Sequence, residues 1–221
     1  MITFKISKEV EESIQRINPY GRIVGDWTGK IVINGKEDLT SINAVTLLKK
    51  LLNISGKPTK LLMSDMNHVK TNDYATWTAD QEDFDSWLDN LEVIDESIER
   101  TLADYYFDIC LEGSKKHIIK DAAFFSLTAD EYPANSIELS LWMKINIFSE
   151  LIWAGFNEEL NQPNKLLLGK ECAEYNRSVL ASLLEKIKKD FGIEEPLTFE
   201  SENMDGAYEN GFKNDCSQFR F

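Results

Sequence analysis

The chain has 221 residues, 43% of them hydrophobic, with 38 Asp and Glu against 24 Lys and Arg and a net charge of −14. That composition supplies a globular core and argues against wholesale disorder, while the acidity argues against general nucleic-acid binding, which needs a basic footprint. No stretch reaches the ~18 apolar residues of a membrane span, and Cys110, Cys172 and Cys216 are too few and too far apart for a disulfide framework or a cysteine zinc site.

The first residues, Ile2 to Ile6, alternate as a short strand does and lack the apolar run of a secretory signal. A reducing cytoplasm is therefore the expected location. Ser7 is placed to cap a helix reaching about Ile17, with Val10, Ile14 and Ile17 on one face, and Asn18-Pro19-Tyr20-Gly21 stops it. Arg22 to Trp27 and Lys30 to Ile33 are β-rich runs around Thr28-Gly29, which predicts a hairpin; Asn34-Gly35 ends the second run. Ser41 can cap a helix to about Leu52, whose stripe is Ile42, Val45, Leu48, Leu51 and Leu52, broken by Ser55-Gly56-Lys57-Pro58. Lys60 to Ser64 reads as a short buried strand and Asp65 to Ala79 as an irregular loop.

From about Asp80 the apolar residues Phe84, Leu88, Leu91, Ile94, Ile98, Leu102, Tyr105 and Ile109 recur every three or four positions, an amphipathic helical stripe. Its end is open, since Tyr105 to Cys110 fits a strand equally well; Gly113-Ser114 closes the element. Lys115, Lys116, His117 and Lys120 form a small basic island. Ala122 to Leu127 is apolar and ambiguous, and Tyr132-Pro133 favours a turn. Ile137, Leu139, Leu141, Met143, Ile145 and Ile147 alternate without a miss, with Glu138, Ser140, Trp142 and Lys144 on the opposite face. A helix over Phe148 to Phe156 and a break at Gln162-Pro163-Asn164 follow. Glu171 to Phe191 is a further helix, with Cys172, Tyr175, Val179, Leu183, Ile187 and Phe191 as its stripe, Lys186, Lys188 and Lys189 near its end, and Gly192 where a terminating glycine belongs. Leu197 to Phe199 is a last strand. These elements predict an α+β chain: a single domain over 1–200, a largely antiparallel sheet with packed amphipathic helices, and a polar, loosely held tail over 201–221.

The acidity is local. Residues 73–112 hold eight Asp and five Glu against Arg100 alone, a net of −12. A solvated helix face explains such a run most plainly. Yet Asp85 with Asp89, Glu92 with Glu96, Asp95 with Glu99, and Asp104 with Asp108 are like-charge pairs four apart, each costing a few tenths of a kcal/mol on a helix. Tolerating that repulsion suggests that the field is used. A concentrated anionic surface steers a cationic partner, and aromatic residues anchor such interfaces. The expected partner surface is Trp77, Asp80, Glu82, Asp83, Asp85, Asp89, Glu92, Asp95, Glu96 and Glu99.

No phosphate loop, nucleophile elbow or paired metal-ligand spacing occurs. The loop trio Asp65, His68 and Asp73 is a weak acid–base or metal candidate, and acids near Trp77 and Trp87 a weaker glycosidase-like one. The expectation is a non-catalytic protein without cofactor or metal, binding neither nucleic acid nor membrane, that neutralises a basic protein. An enzyme cleft built for polyphosphate is basic, so a carboxylate array can occupy it. In charge and size, though not by any motif, the chain resembles bacterial immunity proteins that neutralise toxic nucleases. The alternatives are a hydrolase-like enzyme using Asp65 and His68, and an assembly subunit whose strand Ile137–Ile147 pairs with another chain.

Overall fold

The computed structural model describes residues 1–14, 24–32, 44–65, 74–78, 83–89, 101–129, 136–157, 159, 162–200, 207–208 and 211–212. Their elements run β1 (Ile2–Lys5), α1 (Lys8–Glu12), β2 (Gly25–Val32), α2 (Ala44–Ser55), β3 (Lys60–Asp65), β4 (Tyr74–Thr78), α3 (Phe84–Asp89), β5 (Thr101–Glu112), β6 (Lys116–Ala129), β7 (Ser136–Met143), β8 (Leu151–Asn157), β9 (Gln162–Leu167), α4 (Lys170–Phe191), β10 (Thr198–Glu200), β11 (Ala207–Tyr208) and β12 (Gly211–Phe212). The architecture is mixed helix and strand. An eight-stranded sheet follows the path β10-β2-β7-β6-β5-β3-β4, with β1 added beside β5. All its pairings are antiparallel except β1 with β5.

One long edge of β5 serves two partners. β3 takes residues Thr101 to Tyr106 and β1 takes Ile109 to Glu112. Between them the register with β6 shifts at a bulge, where Asp108 faces the extra residues of β6. There Asp121 adopts a positive φ of 51° and its N–H donates to Asp108 Oδ1 at 3.1 Å. Thr59 Oγ1 donates to the Asp121 carboxylate and ties the turn before β3 to the same spot.

Alternation then divides the sheet into two faces. One core row crosses it through Trp77, Leu61, Tyr105, Phe125, Leu141 and Trp27, all buried. The described helices cover this face. α4 buries Leu180, Leu183, Leu184 and Ile187, α2 buries Leu47, Leu48 and Leu51, and α3 puts Phe84 4.9 Å from the Trp77 ring. Tyr105 Oη donates to Gly56 O at 2.5 Å, and burial pushes its phenol above the ordinary range.

Several expectations hold. Ser7 Oγ accepts from Val10 N at 3.3 Å and caps α1. Gly192 ends α4 in the left-handed region at φ 66°, with its N–H on Lys189 O. Ile145 and Ile147 continue the buried alternation beyond the end of β7. Asn18 to Gly21, Asn34-Gly35, Ser41, Tyr132-Pro133 and Cys216 lie outside the described residues.

Other expectations are corrected. Thr28-Gly29 is no turn: β2 runs straight through it. A Cβ at Gly29 would lie 2.7 Å from Ile193 Cδ1 and 2.6 Å from Leu197 Cδ2, so the glycine makes room for the chain leaving α4. The helical stripe does not reach its expected end. α3 spans Phe84–Asp89 among the described residues, and Tyr105 and Ile109 belong to β5, whose buried set Ala103, Tyr105, Phe107, Ile109 and Leu111 has period two. Tyr74 to Thr78, within the expected loop, is a strand. Phe148 to Phe156 is no helix, because Leu151 to Asn157 pairs with β9 as a separate hairpin. Pro163 sits in β9 at a register shift, on a strand whose only described partner is β8. Within residues 201–221, β11 and β12 form a small hairpin, and Phe212 is buried 4.9 Å from the Phe148 ring and 5.3 Å from the Trp27 ring.

Candidate functional site

The short helix α3 follows edge strand β4 after a few residues; it carries two of the expected carboxylates, and a third, Asp83, directly precedes it. Phe84 and Leu88 point inward, while Asp83, Asp85 and Asp89 are exposed. Two lysines from the α2 region meet them. Lys57 Nζ lies 2.6 Å from Asp83 Oδ1 and 3.4 Å from Asp85 Oδ2, and Lys49 Nζ lies 3.0 Å from Asp89 Oδ1. The bond from Lys57 holds Asp83 below the usual carboxylate range, and the same bond raises Lys57. Three acids against two bases leave this patch anionic but partly compensated. Surface pairs of this kind contribute little to stability.

Trp77 is 4% exposed and packed against Phe84, within the core. Asp80, Glu82, Glu92, Asp95, Glu96 and Glu99 lie outside the described residues, as do His68 and Asp73 of the loop trio. Asp65 ends β3. The remaining acids of the segment are not beside α3. β5 carries Asp104 and Asp108 through the sheet with their side chains on the face opposite the helices. Burial holds Asp108 above the usual carboxylate range, against the lowering effect of the Asp121 N–H that bonds to it. The described carboxylates of residues 73–112 therefore divide between two sides of the sheet. β7 is also corrected as a pairing edge, since β2 and β6 occupy both its sides.

The face opposite the helices holds a feature that no sequence motif announced. A single cross-strand row reads Thr78, Lys60, Tyr106, Phe124, Trp142, Asp26 and Glu200. Its three rings stack: Tyr106 on Phe124 at 5.0 Å, and Phe124 on Trp142 at 5.6 Å and 2°. Lys144 Nζ sits 4.9 Å and 5.0 Å from the Tyr106 and Phe124 centroids, and Lys60 Nζ 5.7 Å from Tyr106. All three rings are half-buried, so the row forms part of the surface. The alternation of Trp142 and Lys144 on β7 signals half of it; the register that brings in Phe124 and Tyr106 is a tertiary property.

His117 serves a structural contact. Glu11, buried on α1, accepts from Ser114 Oγ at 2.6 Å, Lys115 N at 2.6 Å and Ser114 N at 3.2 Å, with His117 Nε2 3.3 Å away. The carboxylate thus closes the β5–β6 turn. The Ser114 hydroxyl above all, then His117 and the two backbone N–H groups, hold it below the carboxylate norm against the opposing effect of burial. A group whose folded pKa is depressed stabilises the fold above its unfolded pKa, and loses that contribution as pH falls through the folded one. Glu11→Gln should therefore lower the urea midpoint clearly at pH 7 and by much less at about pH 3, where the native carboxyl is protonating too. Equal losses at both pH values would show that charge is not what holds the turn.

Among the described residues no helix is long and apolar enough to cross a membrane, and no three His, Cys, Asp or Glu side chains stand together as a metal site. Comparison with protein-family models, with curated proteins and with solved structures gives no match.

Proposed function

We propose that this chain is a single-domain, non-catalytic cytoplasmic protein that binds and neutralises a basic protein, in its sharpest form a bacterial immunity protein against a nuclease-type toxin. The supporting observation is the concentration of charge: a net of −12 within residues 73–112, in a chain of −14. Asp83, Asp85 and Asp89 are the exposed described part of it, and Lys57 and Lys49 do not cancel them. Asp80, Glu82, Glu92, Asp95, Glu96 and Glu99 flank α3 in sequence and extend the same sign. A field of this kind accelerates encounter with a cationic cleft and fixes orientation, while affinity comes from the apolar contacts made afterwards.

The experiment is stopped-flow association with any basic, nuclease-type domain that a neighbouring reading frame is found to encode. The triple variant Asp83→Lys, Asp85→Lys, Asp89→Lys should retain the native circular dichroism spectrum. Its association should be slower by about 10- to 100-fold at low ionic strength. The gap should close in high salt, where surface charges are screened over roughly 3 Å. An unchanged association rate for the folded variant would remove the proposal.

A further inference from the structure

We propose that two copies of this chain associate about a twofold axis through the open face of the sheet, with β6 of one copy lying over β6 of the other. Four observations on that face lead there.

The first is position. In the path β10-β2-β7-β6-β5-β3-β4, β6 is central, with three strands on either side. A twofold axis along β6 therefore superposes the two halves of that path; β1, beside β5 on the far side of the bulge, lies outside the contact. In such an isologous contact the residues on the axis meet themselves, so a charge there would face its own copy. Between the bulge and the end of β6 the residues on the open face are Phe124, Ser126 and Thr128, none of them charged; Lys116 and Lys120 lie on the far side of the bulge, outside the proposed contact.

The second is charge complementarity. Reversing the row Lys60, Tyr106, Phe124, Trp142, Asp26 about Phe124 sets Lys60 over the partner's Asp26 and Tyr106 over the partner's Trp142. One step along the strands, Asp104 falls over the partner's Ser140 and Leu62 over the partner's Thr28. On the other side of the row, Lys144 falls over the partner's Asp108, beside the bulge that also carries Asp121. None of these positions opposes like charges.

The third is ring orientation. Tyr106 and Trp142 each lay a face against Phe124. A sugar or a nucleobase needs an open ring face to stack on, and the central ring of this row has both of its faces taken. A packed protein surface can use the ring edges instead, where edge-to-face aromatic contact is favourable.

The fourth is area. Seven strands at ~4.8 Å and about six residue steps at ~3.4 Å give a face of roughly 600 Å². Two such faces bury about 1,200 Å², the lower bound for a specific, stable interface. Aligned packing of two twisted sheets is an established geometry for such faces. The acids of α3 lie on the helical side, so a dimer built this way leaves them outward on both copies.

The test is sedimentation equilibrium of the full chain from low to high micromolar concentration. The expected result is a reversible doubling of the 25.4 kDa mass. Lys60→Glu and Asp26→Lys should each raise the dimer Kd at least ~10-fold by setting like charges opposite each other. The double variant Lys60→Glu, Asp26→Lys recreates the pair with its signs exchanged and should return the Kd to within about threefold of the native value. Recovery in the double variant separates an intermolecular pair from simple damage, since Asp26 also accepts from Glu200 N at 2.9 Å within its own chain. A chain that is monomeric throughout, which would leave the face to a different protein, overturns the proposal. So does a dimer indifferent to both single reversals, or a double variant no better than the worse single one.

Discussion

Replacing Asn176 by Ala should destabilise the fold by about 3–5 kcal/mol, out of proportion to the few atoms removed. Asn176 is 0% exposed on α4. Its Oδ1 accepts from Lys5 N at 2.7 Å, and its Nδ2 donates to Lys5 O and Ile147 O, each at 2.8 Å. The side chain thus pairs with the free edge of β1 as a neighbouring strand would, and holds the chain beyond β7 as well. Its removal leaves the Ile147 carbonyl unpaired in the interior and the part-buried N–H and carbonyl of Lys5 without their partner, at a cost of roughly 1–3 kcal/mol for a fully buried group. The expected result is a lower denaturant midpoint with an unchanged slope. Asn176→Leu restores volume without hydrogen bonds and should be nearly as damaging. If Leu recovers most of the loss, packing rather than pairing is the function of this residue.

Trp27→Ala should cost about 3–5 kcal/mol, the usual penalty for emptying a large aromatic site in a core. Trp27 is 1% exposed, opposite Leu141 on β7 and edge-on to Phe212 at 5.3 Å. Phe212 in turn stacks on Phe148. The loss should therefore be non-additive with Phe212→Ala, with a coupling of ~0.5–1.5 kcal/mol in a double-mutant cycle. Independent effects would mean that β12 is not seated on Trp27 in solution.

Much of the fold was legible in the sequence, and the failures have identifiable physical causes. α4 was found because its period, its basic last turn and its terminating glycine agree. β7 was found because six alternate positions are apolar. β5 was misread in part because a spacing of four suits both structures: Tyr105 and Ile109 share a face on a helix and on a strand alike. Leu102 to Tyr105, a spacing of three, fits only the helix, and the aromatic run Tyr105-Tyr106-Phe107 is the better guide. Gly29 was read as punctuation, although its purpose is a close approach that only the folded chain reveals. The candidate site divides in the same way. Composition along the chain exposed the acidic run, but neighbours in sequence need not be neighbours in space. A strand that crosses the sheet moved Asp104 and Asp108 to the side away from Asp83 and Asp85. The aromatic row was invisible because each ring comes from a different strand.

The split edge of β5 also sets an order of events. Lys5 lies 171 positions before the asparagine that secures it, and β1 has no strand to join until residue 112 exists. On the ribosome, β1 emerges well before the elements that hold it and is thus among the last to be locked in place, waiting until α4 has cleared the exit tunnel. Closure over so long a loop slows folding. A newborn chain halted before residue 176 would leave β1 unfastened and open to proteases.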